Sequence, residues 1–302
     1  FSLLTGKEGQ WDATNPQFSV YVDGVLRQGF DVNHHEIRLT DYAQADENHW
    51  LFLSAYTGVE NFHLIFDAQL RVADDAITKL YYDLLIPWQT ACLLEPSDSS
   101  YLELIQTLTE TVNLLDLRKP GSDAYYTSTT RAEEHLRQRL YTQPRPAEAL
   151  VCCVGHTHID VAWLWTLSVT EDKAVRSFST VLELMRCYPE YIFMSSQPQL
   201  YKYVKRNAPE VYAQIKERVA EGRWEPEGGM FVEPDCNLAS GEALVRQLLY
   251  GKRFFRQEFG KDNRILWLPD VFGYSAALPQ ILKKSGISYF MTTKISWNEC
   301  NQ

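Results

Sequence analysis

From residue 149 onward, short apolar stretches alternate with longer amphipathic ones, and no other feature constrains the fold as much. The apolar stretches fall near 150–155, 191–196, 223–226, 265–268 and 288–293. The first amphipathic segment carries Ala174, Phe178, Val181, Leu182 and Met185 at helical spacing, with Pro189 beyond its end. A pair opens near Pro198 and Pro209 and stops at Gly222, a residue suited to a helix C-terminus. Others run from Ser240 to Gly260 and from Ser275 to Gly286. Strands separated by helices in this way pair in parallel, so the segment predicts βα units. In such folds the loops after the strand carboxyl ends build the functional site.

The earlier chain has a different texture. Residues 1–72 predict a small β-rich domain. Phe18-Ser19-Val20-Tyr21-Val22 alternates, Asp23-Gly24 is a turn pair, and His49 to Tyr56 and Phe62 to Val72 are further strands. Residues 73–148 predict helices. Asp74 or Asp75 caps one running through Leu80, Leu84 and Leu85. A second spans Tyr101 to Leu117, a third Thr129 to Tyr141, and Pro144-Arg145-Pro146 forms a linker. The fold class is therefore a multi-domain α+β and α/β chain, with units at 1–72, 73–148 and 149–302.

The formal charge of the 302 residues is −10. That balance argues against a nucleic-acid backbone or an anionic membrane as partner. The 8 Trp and 17 Tyr fit sugar stacking, although a large core uses most such residues. None of the six cysteines forms a Cys-x-x-Cys pair, which speaks against a thiolate zinc site. Cys152 and Cys153 are adjacent on a predicted strand and read as buried free thiols of a reducing compartment. The sequence shows no secretory signal and no membrane-length apolar run. It begins at Phe1 and stops at Gln302 without a clear terminal element, which predicts a fragment cut at both ends.

The run Gly155-His156-Thr157-His158-Ile159-Asp160-Val161-Ala162-Trp163 follows the first of the later strands. In extended backbone, residues two apart point the same way, so His158 and Asp160 project together. Two readings stand at this point: a histidine–aspartate ion pair at a strand end, or the start of a zinc or other transition-metal site. His156 shares that face and is either an orienting group or a structural histidine. After the third strand comes Gly228-Gly229-Met230-Phe231-Val232-Glu233-Pro234-Asp235, and after the fourth Leu268-Pro269-Asp270-Val271-Phe272-Gly273-Tyr274-Ser275. Three acid-bearing loops after three strands meet at one rim, or are ordinary loops with solvated carboxylates.

Taken together, these motifs resemble glycoside hydrolase family 38, the metal-dependent α-mannosidases. The match rests on Gly155 to Asp160 with Trp163, on Gly228-Gly229 leading to Asp235, on Pro269 to Ser275, and on Ser296-Trp297-Asn298 after Lys294. A weaker match, Gln28-Gly29-Phe30-Asp31-Val32-Asn33-His34, is to the cytosolic-type branch. The resemblance implies an incomplete, distorted β/α barrel over 149–302 and retaining hydrolysis of terminal α-mannosides. It implies His158, Asp160 and Asp235 as ligands of one divalent metal, zinc first, with cobalt or manganese as alternatives. Asp235 is also the implied nucleophile, Trp163 the aromatic floor under the sugar, and Asp270 a carboxylate that hydrogen-bonds sugar hydroxyls or tunes the site. The implied partner is a mannoside or mannose-containing oligosaccharide, with no nucleic acid or membrane, in the cytoplasm; an oligomer is compatible.

Two departures stand out. No histidine follows His158 to serve as the family's fourth ligand, and the family's acid/base carboxylate also lies downstream of the matched motifs. Neither Glu233 nor Asp270 is assigned to that role. The chain alone is therefore expected to lack normal activity. The alternatives are a metal-dependent carbohydrate deacetylase, which needs a His-x-x-x-His-type pair absent here, and a non-catalytic sugar-binding protein.

Overall fold

Asp23 and Gly24 both take positive φ, 52° and 81°. A two-residue hairpin turn demands this, and Gly supplies it at no steric cost. In the computed structural model, which describes residues 1–7, 16–56, 64–142 and 150–297, this turn joins strands β2 and β3. Strand β1 is Ser2–Leu4, β2 Gln17–Val22, β3 Val25–Phe30, β4 Leu51–Tyr56 and β5 Asp67–Gln69. The antiparallel order is β3-β2-β4, and β1 pairs with β5. Alternation puts Phe18, Val20 and Val22 on one face, where they bury with Leu3, Phe30 and Ile37. Of the strand expected over 62–72, β5 is the part found, and residues 62–63 lie outside the described residues.

Residues 71–151 form one compact unit, and residues 1–70 with 152–302 form another. The first unit holds helices α1 (Asp75–Ala91), α2 (Ser99–Asn113) and α3 (Asp123–Leu136), the last running on as a π-helical turn over Arg137–Tyr141. Each N-terminus is closed by a side-chain oxygen. Asp74 accepts from the Ile77 amide at 3.1 Å, Asp98 from Ser100 at 2.7 Å and Ser122 from Tyr125 at 3.3 Å. The Ser122 cap explains why α3 starts six residues before its expected position. Leu80, Leu108, Ala132 and Leu136 make this unit's core. The Pro144-Arg145-Pro146 linker lies outside the described residues.

The α/β part has strands β6 (Gly155–His156), β7 (Phe193–Ser195), β8 (Trp224–Pro226), β9 (Ile265–Trp267) and β10 (Tyr289–Met291). Its helices are α4 (Leu167–Cys187), α5 (Pro198–Asn207), α6 (Pro209–Ala220), α7 (Gly241–Phe259) and α8 (Leu278–Lys284). β6, β7 and β8 pair in parallel, as do β9 and β10. A parallel bridge between Gly228 and Leu266 links the two sets, so the strands stand in chain order. Ser240 caps α7 by accepting from the Ala243 amide at 3.2 Å, and Gly260 ends it at φ 69°. The sequence reading placed both.

One expected strand is corrected. The buried strand over 150–155 shrinks to the two residues of β6. Leu150 is 88% exposed and Val151 79%, and Cys152 and Cys153 are exposed free thiols rather than buried ones. Among the described residues nothing covers this stretch, so its apolar character finds no core to enter.

The main core stacks α4 and α5 on the strands. Trp224 sits with ring centroids 4.8 Å from Phe193 and 5.1 Å from Phe178. Its indole N–H donates to the Tyr201 hydroxyl at 2.8 Å, and that hydroxyl donates to the Ser195 carbonyl at 3.0 Å. All three residues are about 1% exposed or less. A buried relay of this kind fixes the end of β7 relative to β8. Tyr201→Phe keeps the ring but leaves a buried indole N–H unsatisfied, while the Ser195 carbonyl keeps the Glu227 amide as donor. We expect a loss of about 1–3 kcal/mol in urea-unfolding free energy, without loss of the folded baseline.

Candidate active site

The loop after β6 carries His158 and Asp160, outside any strand. The two side chains meet all the same, His158 Nε2 lying 3.2 Å from Asp160 Oδ1. Two further carboxylates arrive from other strands. Glu233, from the loop after β8, brings Oε2 to 3.1 Å of His158 Nδ1. Asp270, from the loop after β9, brings Oδ2 to 3.4 Å of His158 Nε2. One ligand atom each from His158, Asp160 and Asp270 lies within 4.8 Å of the others. Burial pulls the His158 pKa down, but hydrogen bonding and charge from Asp160 and Glu233 outweigh it and lift the group to about 10.

The loops are held from below. The Tyr274 hydroxyl engages the Leu268 and Val271 carbonyls at 3.1 Å and Thr292 Oγ1 at 2.6 Å. Thr293 Oγ1 donates to the Pro269 carbonyl at 2.6 Å, so both sides of Asp270 are fixed. A parallel bridge between Cys236 and Tyr274 aligns the β8 and β9 loops. Ser196 Oγ donates to Glu233 Oε1 at 3.1 Å. Gln197 Nε2 donates to the Ile159 carbonyl at 2.9 Å, and the Glu233 amide donates to Gln197 Oε1 at 3.2 Å. Lys294 Nζ stands 3.1 Å from Asp270 Oδ1 and 3.7 Å from the Trp297 ring centroid.

The other residues singled out in the sequence take different places. Asp235 is exposed, and its Oδ1 accepts from the amides of Asn237 (2.8 Å) and Leu238 (2.9 Å). It is not in the three-residue group; Asp270 is. Trp163 is 51% exposed and packs edge-on against Trp165, with centroids 5.5 Å apart. Ala162, just before it, has φ 110°, a region L-residues rarely adopt. His156 turns away from its two neighbours. Its Nδ1 donates to the Met194 carbonyl at 3.0 Å, while Nε2 accepts from the Trp267 indole at 3.2 Å. This pins one neutral tautomer, and burial keeps its pKa below the ordinary value. His156 ties β6 to β7 and β9.

Glu233, Gln197 and Lys294 were not assigned to the site by sequence reasoning. Glu233 could have been found from its position two residues before Asp235 in an acid-bearing loop. Gln197 gave no signal, because its partners are backbone groups brought by two other strands.

The donor set suits a cation. Imidazole nitrogen with carboxylate oxygens matches zinc and neighbouring divalent metals. His158 Nε2, an Asp160 oxygen and an Asp270 oxygen supply that set on one side of the ring, while His158 Nδ1 faces Glu233 Oε2 on the other.

A family model described as "Glycosyl hydrolases family 38 N-terminal domain" matches residues 148–302. The chain belongs to this family. Among family 38 relatives, "Alpha-mannosidase G" of Dictyostelium discoideum is 50% identical over 235 residues, 78% of this chain and 21% of its own length. "Alpha-mannosidase 2C1" of Homo sapiens is 40% identical over 235 residues, 78% of this chain and 22% of its own length. The chain thus spans about a fifth of these relatives. A crystal structure of an alpha-mannosidase from Enterococcus faecalis V583 aligns at TM-score 0.43 and 24% identity, over 46% of this chain and 16% of that one.

Within this family 38 segment, Gly228 is the tightest point of the β8 loop. Its φ is 125°, and an added Cβ would stand 2.6 Å from Ser196 Cβ. Gly228→Ala would combine strain of about 1–3 kcal/mol with a clash that pushes the Glu233 loop outward. A lower unfolding midpoint in urea is the expected result, and an unchanged midpoint would show that the loop accommodates a side chain.

Proposed function

We propose that this chain carries the metal-binding rim of a retaining, metal-dependent α-mannosidase acting on terminal α-mannosides, free or in oligosaccharides. One observation carries the reading. His158, Asp160, Asp270 and Glu233 converge beyond the carboxyl ends of parallel strands, in a family 38 chain whose relatives are named α-mannosidases. The strands β6 to β10 are then the first part of a distorted β/α barrel. Cytoplasmic mannoside breakdown belongs to the same reading and rests on the resemblance to the cytosolic-type branch.

One divalent ion, zinc first and cobalt or manganese by the same donor set, would be held by His158 and Asp160 with a third carboxylate. Asp270 is the carboxylate that groups with them. Asp235, assigned by resemblance as ligand and nucleophile, uses Oδ1 in its turn and keeps Oδ2 to offer. What the ion supplies when bound is positive charge for the mannose hydroxyls and for a carboxylate beside it. The protein side does the rest. Asp235 attacks the anomeric carbon as the glycosidic C–O bond breaks and the aglycone leaves with a proton from an acid carboxyl, Trp163 stacks on the apolar face of the ring, and Asp270 orients hydroxyls. A retaining enzyme needs a second carboxyl about 5–5.5 Å from the first as proton donor. We assign that group to the remaining length of the relatives, so the 302-residue chain binds metal without turning sugar over.

Titration of the metal-free chain with cobalt(II), followed by its visible absorption, is expected to show one bound equivalent. Asp160→Asn should weaken it at least about 10-fold. A folded chain that takes up no ion would overturn the reading. In a complete protein carrying this chain, Asp235→Asn should cut 4-nitrophenyl α-mannoside hydrolysis by at least about 10³-fold. The 302-residue chain alone should show no turnover; robust hydrolysis by it would refute that part.

A further inference from the structure

We infer that Gln197 is the positioning residue of the metal-binding group: its side-chain amide sets the spacing between the His158–Asp160 loop and the Glu233 loop. The inference rests on the metal-site reading above.

Gln197 ends the segment that follows β7, between the two loops that it touches. Its Nε2 donates to the Ile159 carbonyl at 2.9 Å, and its Oε1 accepts from the Glu233 amide at 3.2 Å. Ile159 is the residue between His158 and Asp160, so gripping its carbonyl fixes the backbone from which both side chains spring. The other end of the amide fixes the backbone of Glu233. Between these anchors His158 Nδ1 and Glu233 Oε2 face each other at 3.1 Å. The neighbouring Ser196 hydroxyl holds the Glu233 carboxylate itself at 3.1 Å. One dipeptide therefore fixes Glu233 at both its amide and its side chain.

The chemistry of the bridge is specific. A carbonyl can only accept and a backbone amide can only donate, so the linker needs a donor at one end and an acceptor at the other. A neutral primary amide offers both, and its orientation follows from its partners. Asparagine is one methylene shorter. Glutamate lacks the donor and would set one oxygen against another.

Two further observations separate this role from an ordinary helix start. Gln197 occupies the N-cap position of α5, yet its side chain makes no capping hydrogen bond. The usual work of a side chain at that position is left undone. Gln197 also has φ 62°, in the left-handed region, although it is not glycine and is only 3% exposed. Strain of this sort persists where surrounding contacts over-determine a conformation, and it clusters at functional sites.

The test uses the 302-residue chain and cobalt(II) as probe, with far-UV circular dichroism and thermal melting to confirm folding. Gln197→Met keeps the length and removes both hydrogen bonds. Gln197→Glu keeps the acceptor alone. Gln197→Gly removes the bridge and relieves the backbone, so it supplies a folded variant should the other two fail. All folded variants are expected to bind cobalt about 10–100-fold more weakly, with a changed intensity or position of the visible band. A merely structural role would move the melting curve and leave the affinity and band unchanged, and that outcome would overturn the inference. If Asp160→Asn loses cobalt while the Gln197 variants keep wild-type affinity, the metal site stands and the inference falls. If the folded wild-type chain takes up no cobalt, both fall.

Discussion

Three carboxylates around a single imidazole are the constraint on which the site depends. Two like charges 4 Å apart repel by about 4 kcal/mol at an effective dielectric of ~20. Asp160, Glu233 and Asp270 are brought to His158 from three separate loops and are partly or largely withdrawn from water. Such an assembly does not hold itself together. Positive charge must be supplied, by His158 itself and by Lys294 at Asp270. The loops must also be held by bonds that do not rely on the carboxylates. The hydroxyls of Tyr274 and Thr293 and the amide of Gln197 do this. The restraint is structural and the cost electrostatic.

Much of the scaffold was readable from the residues. Alternating apolar and amphipathic segments placed β7 to β10 and their helices, because each signal is local: Pro198 and Pro209 opening helices, Ser240 and Gly260 bounding α7. The His158–Asp160 meeting was readable too, although it occurs in a loop rather than in a strand. What was not readable depends on strands far apart in sequence. Gln197 reaches one residue 38 positions earlier and another 36 later, and neither spacing leaves a mark in composition. The first strand misled for the opposite reason. Leu150 and Val151 look like core, but burial belongs to the neighbours, and here none of the described residues supplies them.

His156 and His158 show how little of a motif's chemistry lies in residue type. Two imidazoles two positions apart have opposite surroundings. One is fixed between a carbonyl and an indole N–H and kept neutral. The other faces carboxylates and is held as a cation in the absence of metal.

The small antiparallel sheet is fastened to α4 by bonds between remote parts of the chain. The Gly29 amide donates to Thr180 Oγ1 at 2.9 Å across 151 positions, and Arg176 reaches Gln17 across 159. A ribosome adding about 5–20 residues per second therefore makes the strands roughly 8–30 s before the helix that covers them. Throughout that interval Leu26 lacks the later-made members of its core, such as Phe178. Biosynthesis of this chain thus includes a waiting period, set by topology rather than by stability, in which a holding chaperone would matter most.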